Sequence, residues 1–360
     1  MNKTNVAILG AGFIADIHAN SYANFVPDAA VTAVYAREEA KARDFAQRHG
    51  IEKVYTSLEA LCDDPSIAVA DICLPNGLHH GACLAAAKAG KHVIVEKPIC
   101  LTLKKANEMI AACDRAGVRL FYGEEMCFAP KYERALEIAK AGAIGNVFRI
   151  KHAGRHSGPH SRWFYEAERS GGGAMLDMGC HSVGWFLHAL TRVGADPAVT
   201  GVFARMNTVY HDTRLEDEAF FLLECKNGVT AMGEAGWARK GAAEDAIELA
   251  GTGGVIDADL CRGNSALVYS EQGYDYSGEK AGDTRGYSFL AYEEAFENGF
   301  PQELRHFITC IRNAVPCELN GGFGKRVLEL VIAAYASAAC GSWVKPGQDC
   351  EKFPAELWVK

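Results

Sequence analysis

Val6-Ala7-Ile8-Leu9-Gly10-Ala11-Gly12-Phe13-Ile14-Ala15 decides the fold of this chain. The four leading apolar residues read as a short buried strand, and Phe13 to His18 carries apolar residues at helical spacing. Between them, Gly10, Gly12 and Ala15 fit the pattern G-x-G-x-x-G/A. The first glycine makes a tight turn. The second lets the backbone approach a pyrophosphate, and the small Ala15 lets helix and sheet pack closely. The helix start then offers N–H groups and the positive end of its dipole to phosphates. Gly10, Gly12, Phe13 and Ile14 are therefore candidate cofactor contacts, and the cofactor expected is a dinucleotide, NAD or NADP.

The rhythm continues outward from this turn. Val31–Tyr35 is a second strand and Glu38–His49 a charged helix. Ala70–Leu74 is a third strand, followed by an alanine-rich helix over His79–Ala89. Lys91–Val95, a helix over Leu103–Ala116 and Leu120–Tyr122 complete the alternation. Strands separated by helices of this length imply a parallel, doubly wound sheet. After Tyr122 the pattern changes. Ala129–Gly142 reads as a helix, Val147–Ala153 as a strand and Ala174–Leu190 as a helix. Phe220–Cys225 and Val229–Glu234 form a hairpin about Asn227-Gly228. Strand alternation runs through Ala246–Leu249, and two helices follow near Gln302–Ala314 and Lys325–Ala339. The fold class expected is α/β: a Rossmann domain over 1–123, then an α+β domain over 124–360 built on a largely antiparallel open sheet.

Composition narrows the function. The 360 residues carry 37 Lys plus Arg against 45 Asp plus Glu, a net charge of −8. That balance excludes a general nucleic-acid binder, which needs a basic face. The longest apolar stretch, Leu330–Cys340, is too short to span a bilayer. The opening residues run straight into a strand without a signal-peptide pattern. The 13 cysteines are odd in number, and no C-x-x-C pair is present. They read as buried thiols of a reducing cytoplasm, not as a disulfide framework or a structural zinc site.

The end of the second strand reads Tyr35-Ala36-Arg37-Glu38. No acid stands where one usually holds the ribose 2′-OH of NAD, and Arg37 can face a 2′-phosphate. Arg37 can equally be a solvated residue or stack on adenine. Glu38 is either a ribose contact or part of the following helix.

Gly90-Lys91-His92-Val93-Ile94-Val95-Glu96-Lys97-Pro98 resembles the Gfo/Idh/MocA family, named for glucose–fructose oxidoreductase and inositol dehydrogenase. Leu74-Pro75-Asn76-Gly77-Leu78-His79 is similar to that family's cofactor-contacting loop. Ala141–Val147 is similar to its crossing into the second domain, and Gly171–His181 to its D-x-x-x-H catalytic helix. The resemblance covers essentially the whole chain. It implies Asn76, His79, Glu96 and Lys97 as cofactor contacts, and a homo-oligomer formed through the sheet of the second domain.

The residues make chemical sense on their own terms. Hydride transfer from a carbinol carbon needs a nicotinamide on one side and a base for the hydroxyl proton. Asp177 and His181 are four apart and share a face if the segment is one helix. His181 titrates near neutrality and can take the proton, while Asp177 can hold its ring. Lys97, at a strand end before a proline, can stabilise charge on the reacting oxygen. The family carries Asn and Arg after its sixth strand, whereas this chain reads Glu124-Glu125. Glu125 can accept hydrogen bonds from sugar hydroxyls or pair with a nearby base.

The stretch His152 to Tyr165 is dense in polar and aromatic groups. Polyol recognition needs donors, acceptors and a flat ring, which makes Arg155, His156, His160 and Trp163 candidate substrate contacts. Metal binding by His152, His156 and His160 competes with that reading. Gly158-Pro159 breaks the helix their spacing would need, and no acidic ligand sits among them, so no metal is expected.

The expected function is an NAD(P)-dependent oxidoreductase acting on a secondary hydroxyl, or the matching ketone, of a sugar, glycoside or cyclitol. Two rivals remain open. One is a redox-neutral enzyme that oxidises a sugar transiently with a tightly held cofactor. The other is a non-catalytic dinucleotide-binding sensor, against which Lys97, Asp177 and His181 argue.

Overall fold

β1 (Thr4–Leu9) lies in the middle of a six-stranded sheet and is buried from Val6 to Leu9. The computed structural model describes residues 3–262, 266–270, 285–290, 294–347 and 351–358. Around β1 the chain runs α1 (Phe13–Phe25), β2 (Ala29–Tyr35), α2 (Glu39–His49), β3 (Lys53–Tyr55), α3 (Leu58–Cys62) and β4 (Val69–Ile72). It continues with α4 (His79–Lys88), β5 (His92–Val95), α5 (Leu103–Ala116) and β6 (Leu120–Tyr122). The strands lie in the order β3-β2-β1-β4-β5-β6, all parallel. This is the doubly wound arrangement whose chain order reverses between β1 and β4.

Local chemistry sets the helix ends. Ser57 and Thr102 cap α3 and α5 through their hydroxyls, while Gly50 and Gly117 close α2 and α5 in the left-handed conformation.

The remaining elements are α6 (Pro130–Lys140), β7 (Val147–Arg155), α7 (Ala167–Ser170), α8 (Ala174–Asp177), α9 (Gly179–Arg192) and β8 (Val199–Asn207). After these come β9 (Glu218–Cys225), β10 (Thr230–Gly236), β11 (Glu244–Gly251), β12 (Gly254–Asp259), β13 (Ala266–Ser270) and β14 (Gly286–Leu290). The chain ends with α10 (Glu294–Asn298), α11 (Phe300–Asn313), α12 (Gly321–Cys340) and α13 (Pro354–Trp358).

Tertiary contacts divide the chain into one compact unit of residues 1–125 with 299–328, and a second of 126–298 with 329–360. A single break after residue 123 is thus replaced by a discontinuous division. The physical reason is α11, which returns to the first unit: it packs on α1, and Phe307 stacks on Phe121 with ring centroids 4.9 Å apart.

In the second unit a six-stranded sheet has the order β12-β11-β7-β10-β9-β8, with only β7 and β10 parallel. Asn227-Gly228 turns the β9–β10 hairpin, with Gly228 at φ +83°. β9 alternates buried and open residues with period two. One face of this sheet packs against α9, buried from Gly179 to Leu190. The other face bears the exposed Phe220, Met232 and Trp343, beside the ion pairs Arg149–Glu248 and Lys151–Glu234. No described helix is long and apolar enough to cross a membrane.

Candidate active site

Gly10 leaves β1 at φ +128°, and a Cβ there would lie 2.3 Å from the Cys73 carbonyl oxygen. Only glycine fits this turn between β1 and β4. Gly12 differs: its φ is −105°, and a Cβ would meet nothing within 4 Å. Nothing inside the protein requires glycine there, so the open space suits a close-approaching ligand. Gly12 is also the N-cap of α1, and it offers no side-chain oxygen to the first amides of the helix. Ala15 is fully buried against the sheet. Asp16, the acid of the first turn, pairs with Arg48 and with His49 at 2.6 Å, which offsets its charge. These features fit a dinucleotide pyrophosphate. Phe13 is exposed beside this turn, and Ile14 half-buried. Arg37 is exposed just beyond β2, while Glu38 is the N-cap residue of α2 and binds Lys41 at 2.8 Å.

Two residues expected at the cofactor face inward. His79 is fully buried, with Nδ1 2.9 Å from the Pro98 oxygen and Nε2 2.7 Å from the Leu74 oxygen. Burial holds its pKa below the ordinary value. Both ring nitrogens thus face backbone carbonyls of the same unit. Glu96 is buried too, with Oε1 3.0 Å from His18 Nε2 and Oε2 accepting from the Lys97 amide at 3.2 Å. Asn76 is buried in a short 3₁₀ turn before α4, and Lys97 is half-buried at the end of β5. Glu125 lies buried in the same unit, where burial and the charges of Glu96 and Glu125 push the Glu303 carboxyl well above the carboxylate range.

In the second unit the expected single helix over Ala174–Leu190 is broken at Met178. Asp177 is the last residue of α8, and His181 is the third of α9. Both are nearly closed to solvent, at 8% and 3%. The Asp177 Oδ2 accepts from the Trp237 indole at 2.9 Å. It also lies 3.7 Å from His156 Nε2. The Gly158 amide donates to His156 Nδ1 at 3.0 Å, so the proton of a neutral ring sits on Nε2, toward Asp177. Asp177 is therefore bonded by Trp237 and neighboured by His156, residues that sequence spacing does not link to it.

The loop candidates separate. Arg155 is not in the loop but ends β7, where it binds Glu244 at 2.5 Å and Glu234 at 2.7 Å. Those partners flank it on neighbouring strands of the open face, as the strand alternation dictates. Its guanidinium is occupied there by the two carboxylates. His160 is exposed. Trp163 is half-buried and stacks on Phe164 at 3.9 Å, while Phe164 and Tyr165 meet Trp237 edge-on. His152 bonds Ser182 at 2.7 Å and Asp245 at 3.1 Å inside the unit, so the three histidines have different surroundings.

Sequence reasoning missed the residues that hold this site. Besides Trp237, Glu216 caps α8: its Oε1 accepts from the Met175 amide at 3.0 Å and from the Tyr335 hydroxyl at 2.5 Å. Burial pushes Glu216 up to about 7, although the Tyr335 hydroxyl and backbone amides pull it down. Asp217 accepts from the Val209, Tyr210 and His211 amides and ties down that loop. The only sequence signal was the acidic run Glu216-Asp217-Glu218 at a strand start.

The sheet order and the glycine turn at its switch point define a dinucleotide-binding protein of the Rossmann class. Residues 4–124 match the family model described as "Oxidoreductase family, NAD-binding Rossmann fold", and residues 132–257 match "GFO/IDH/MocA C-terminal domain". The chain belongs to the Gfo/Idh/MocA family of NAD-binding oxidoreductases. Myo-inositol 2-dehydrogenase of Thermotoga maritima is 29% identical over 339 residues, covering 92% of this chain and 95% of that protein. D-apiose dehydrogenase of Paraburkholderia graminis is 27% identical over 348 residues, covering 94% and 88%. The solved structure of GenD2 from gentamicin A biosynthesis, in complex with NAD, matches with a TM-score of 0.90 at 29% identity. That match covers 96% of this chain and 97% of GenD2.

Proposed function

We propose that this chain oxidises a secondary hydroxyl of a sugar, glycoside or cyclitol, or reduces the matching ketone. The observation that carries the reading is the buried Asp177, hydrogen-bonded by Trp237 and close to His156, just before the nearly buried His181, in a chain of an NAD-binding oxidoreductase family. Relatives named for myo-inositol and D-apiose support a polyhydroxylated substrate. A bound dinucleotide would supply the hydride acceptor for oxidation, or the donor for reduction.

The protein's share is proton and charge handling. His181 takes the hydroxyl proton on a ring nitrogen. Asp177 stabilises the charged arrangement around it, and its fixed geometry spares reorganisation during reaction. The Lys97 ammonium stabilises negative charge on the same oxygen. The stacked Trp163–Phe164 pair offers a flat surface for a sugar face, with the exposed His160 as a polar contact, whereas His156 is engaged by Gly158 and faces Asp177. Arg155 drops out of this set because two carboxylates already occupy it.

Arg37 supports use of NADP as well as NAD. The exposed Phe220, Met232 and Trp343 on the open sheet face support a second copy of the chain as partner.

The experiment is a panel of inositols, sugars and glycosides, followed at the nicotinamide absorbance with NAD and NADP. We expect turnover with a polyol, and its loss in His181→Asn with NADH still bound. Near-normal turnover in that variant would remove His181 as the base.

A further inference from the structure

His18 is fully buried in the second turn of α1, and both ring nitrogens face carboxylates. Nδ1 lies 2.9 Å from Asp71 Oδ2, and Nε2 lies 3.0 Å from Glu96 Oε1. A neutral imidazole carries one N–H and would leave one contact between two acceptors. Only the imidazolium donates to both. Burial works against that charge, but Asp71 and its hydrogen bond raise the pKa well above the ordinary value. The surrounding groups leave the charge pattern intact. Burial pushes the Cys73 thiol up to about 12, so it stays neutral. Burial and nearby acids likewise push the Tyr22 hydroxyl and the Glu303 carboxyl well above their ordinary values.

This arrangement is costly. Asp71 sits within β4 among Val69, Ala70 and Ile72, all buried. A well-packed apolar pair at positions 18 and 71 would hold α1 to the sheet at less desolvation cost. What the ions do that apolar groups cannot is hold a particular carboxylate. Glu96 follows the last residue of β5, and its second oxygen accepts from the Lys97 amide at 3.2 Å. The chain thus runs Asp71, His18, Glu96, Lys97 amide, each link a hydrogen bond.

We propose that the His18 imidazolium is a positioning residue: it clamps Glu96, and through it the 96–97 backbone, so that Lys97 is presented in one fixed attitude to the dinucleotide and the reacting oxygen. The inference rests on the role of Lys97 proposed above.

Two substitutions separate the clamp from mere packing. His18→Gln places an amide N–H near the former Nε2 and keeps the Glu96 bond. His18→Asn places one near the former Nδ1 and keeps only the Asp71 bond. The readout is NADH affinity of the full chain, by fluorescence titration, beside each variant's melting temperature. Both variants lose one charge-assisted bond and should melt lower by similar amounts. His18→Asn should weaken NADH about ten-fold or more, the scale of one such bond, and His18→Gln by less than about three-fold. Equal weakening in the two, or wild-type affinity in both, overturns the clamp. Lys97→Ala is the control. If it leaves NADH affinity unchanged, Lys97 makes no contact with the dinucleotide and the clamp falls, while its role at the reacting oxygen is read separately from turnover. If it weakens NADH while His18→Asn does not, the clamp alone falls. Should His18→Asn not fold, nitrogen-15 resonances of wild-type histidines, assigned with His18→Gln, decide the matter. Two protonated ring nitrogens at pH 7.5 uphold the imidazolium, and a neutral ring overturns it.

Discussion

The nucleotide edge of the first unit is made of backbone, whereas the Asp177 site of the second is made of side chains. Gly10, Gly12 and the start of α1 lie within four residues, and their work is done by φ angles, missing Cβ atoms and amide groups. Asp177 is instead bonded by Trp237, which follows β10, and lies beside His156, which follows β7, while Glu216 secures the short helix that ends in it. A backbone site is contiguous and tolerates few sequences, so it reads as a motif. A side-chain site is assembled by folding, and its members share no spacing. Substitutions should therefore act differently in the two regions.

The largest expected effect is on chemistry. His181→Ala should lower turnover by roughly two to four orders of magnitude with NADH affinity retained. Lys97→Ala should cost a comparable factor. If both act on one oxygen, the double variant should be little worse than the poorer single. Additive losses, measured by stopped-flow hydride transfer, would assign them to separate steps.

In the backbone site the two glycines should part company. Gly10→Ala forces a Cβ against the Cys73 carbonyl at positive φ, and should cost about 3 kcal/mol or more of stability. Gly12→Ala meets no protein atom, so its melting temperature should stay near wild type while NADH binding weakens. A Gly12→Ala protein that binds NADH normally would show that this space is not used by the cofactor.

Glu216 sharpens the contrast through pH. Its folded pKa of about 7 lies above the ordinary 4.5, so the folded protein holds the proton longer than the unfolded chain. The resulting stabilisation is fully present below pH about 4.5 and is lost as pH rises through about 7. The shift corresponds to about 3 kcal/mol across that window. Denaturant melts from pH 5 to 8 should show stability falling with pH, and Glu216→Gln should flatten that part of the slope. An unchanged slope would place the titration elsewhere.

Trp237→Phe keeps aromatic contact with Phe164 and Tyr165 but removes the donor to Asp177. A loss of about ten-fold in kcat/KM, the worth of one hydrogen bond to a charged group, is expected. The cofactor dissociation constant should not move, because the nucleotide turn is untouched.

How much of each region was legible follows from the same distinction. The strand–turn–helix at Gly10, the strands at 70–74 and 91–95 and the helix 103–116 were readable because periodicity and glycine signals are local. β3 and α3, of three and five residues, are too short to show a period. The break at Met178 was hidden because Ala174–Leu190 is apolar on nearly every side. It is the distant Glu216 that caps the short α8. Arg155 was misplaced for a simpler reason. The strand read as ending at Ala153 runs two residues further, and alternation then puts Arg155 on the face of Arg149 and Lys151. The return of α11 to the first unit has no sequence signal, since order along the chain does not say which sheet a late helix joins.

Arg37 should give the smallest effect and tests the edge of the backbone site, where a side chain takes over. It stands exposed beyond β2 with no acid ahead of it, and the neighbouring Glu38 is engaged by Lys41. A guanidinium binds a 2′-phosphate through two parallel N–H groups, whereas a ribose 2′-OH offers it no charge. Solvent screens an exposed pair, so Arg37→Ala should weaken NADPH by only about five-fold and leave NADH unchanged. Higher salt should shrink the difference further. Equal weakening of both nucleotides would mean that Arg37 stacks on the adenine they share, and selectivity at this edge would then lie in the backbone alone.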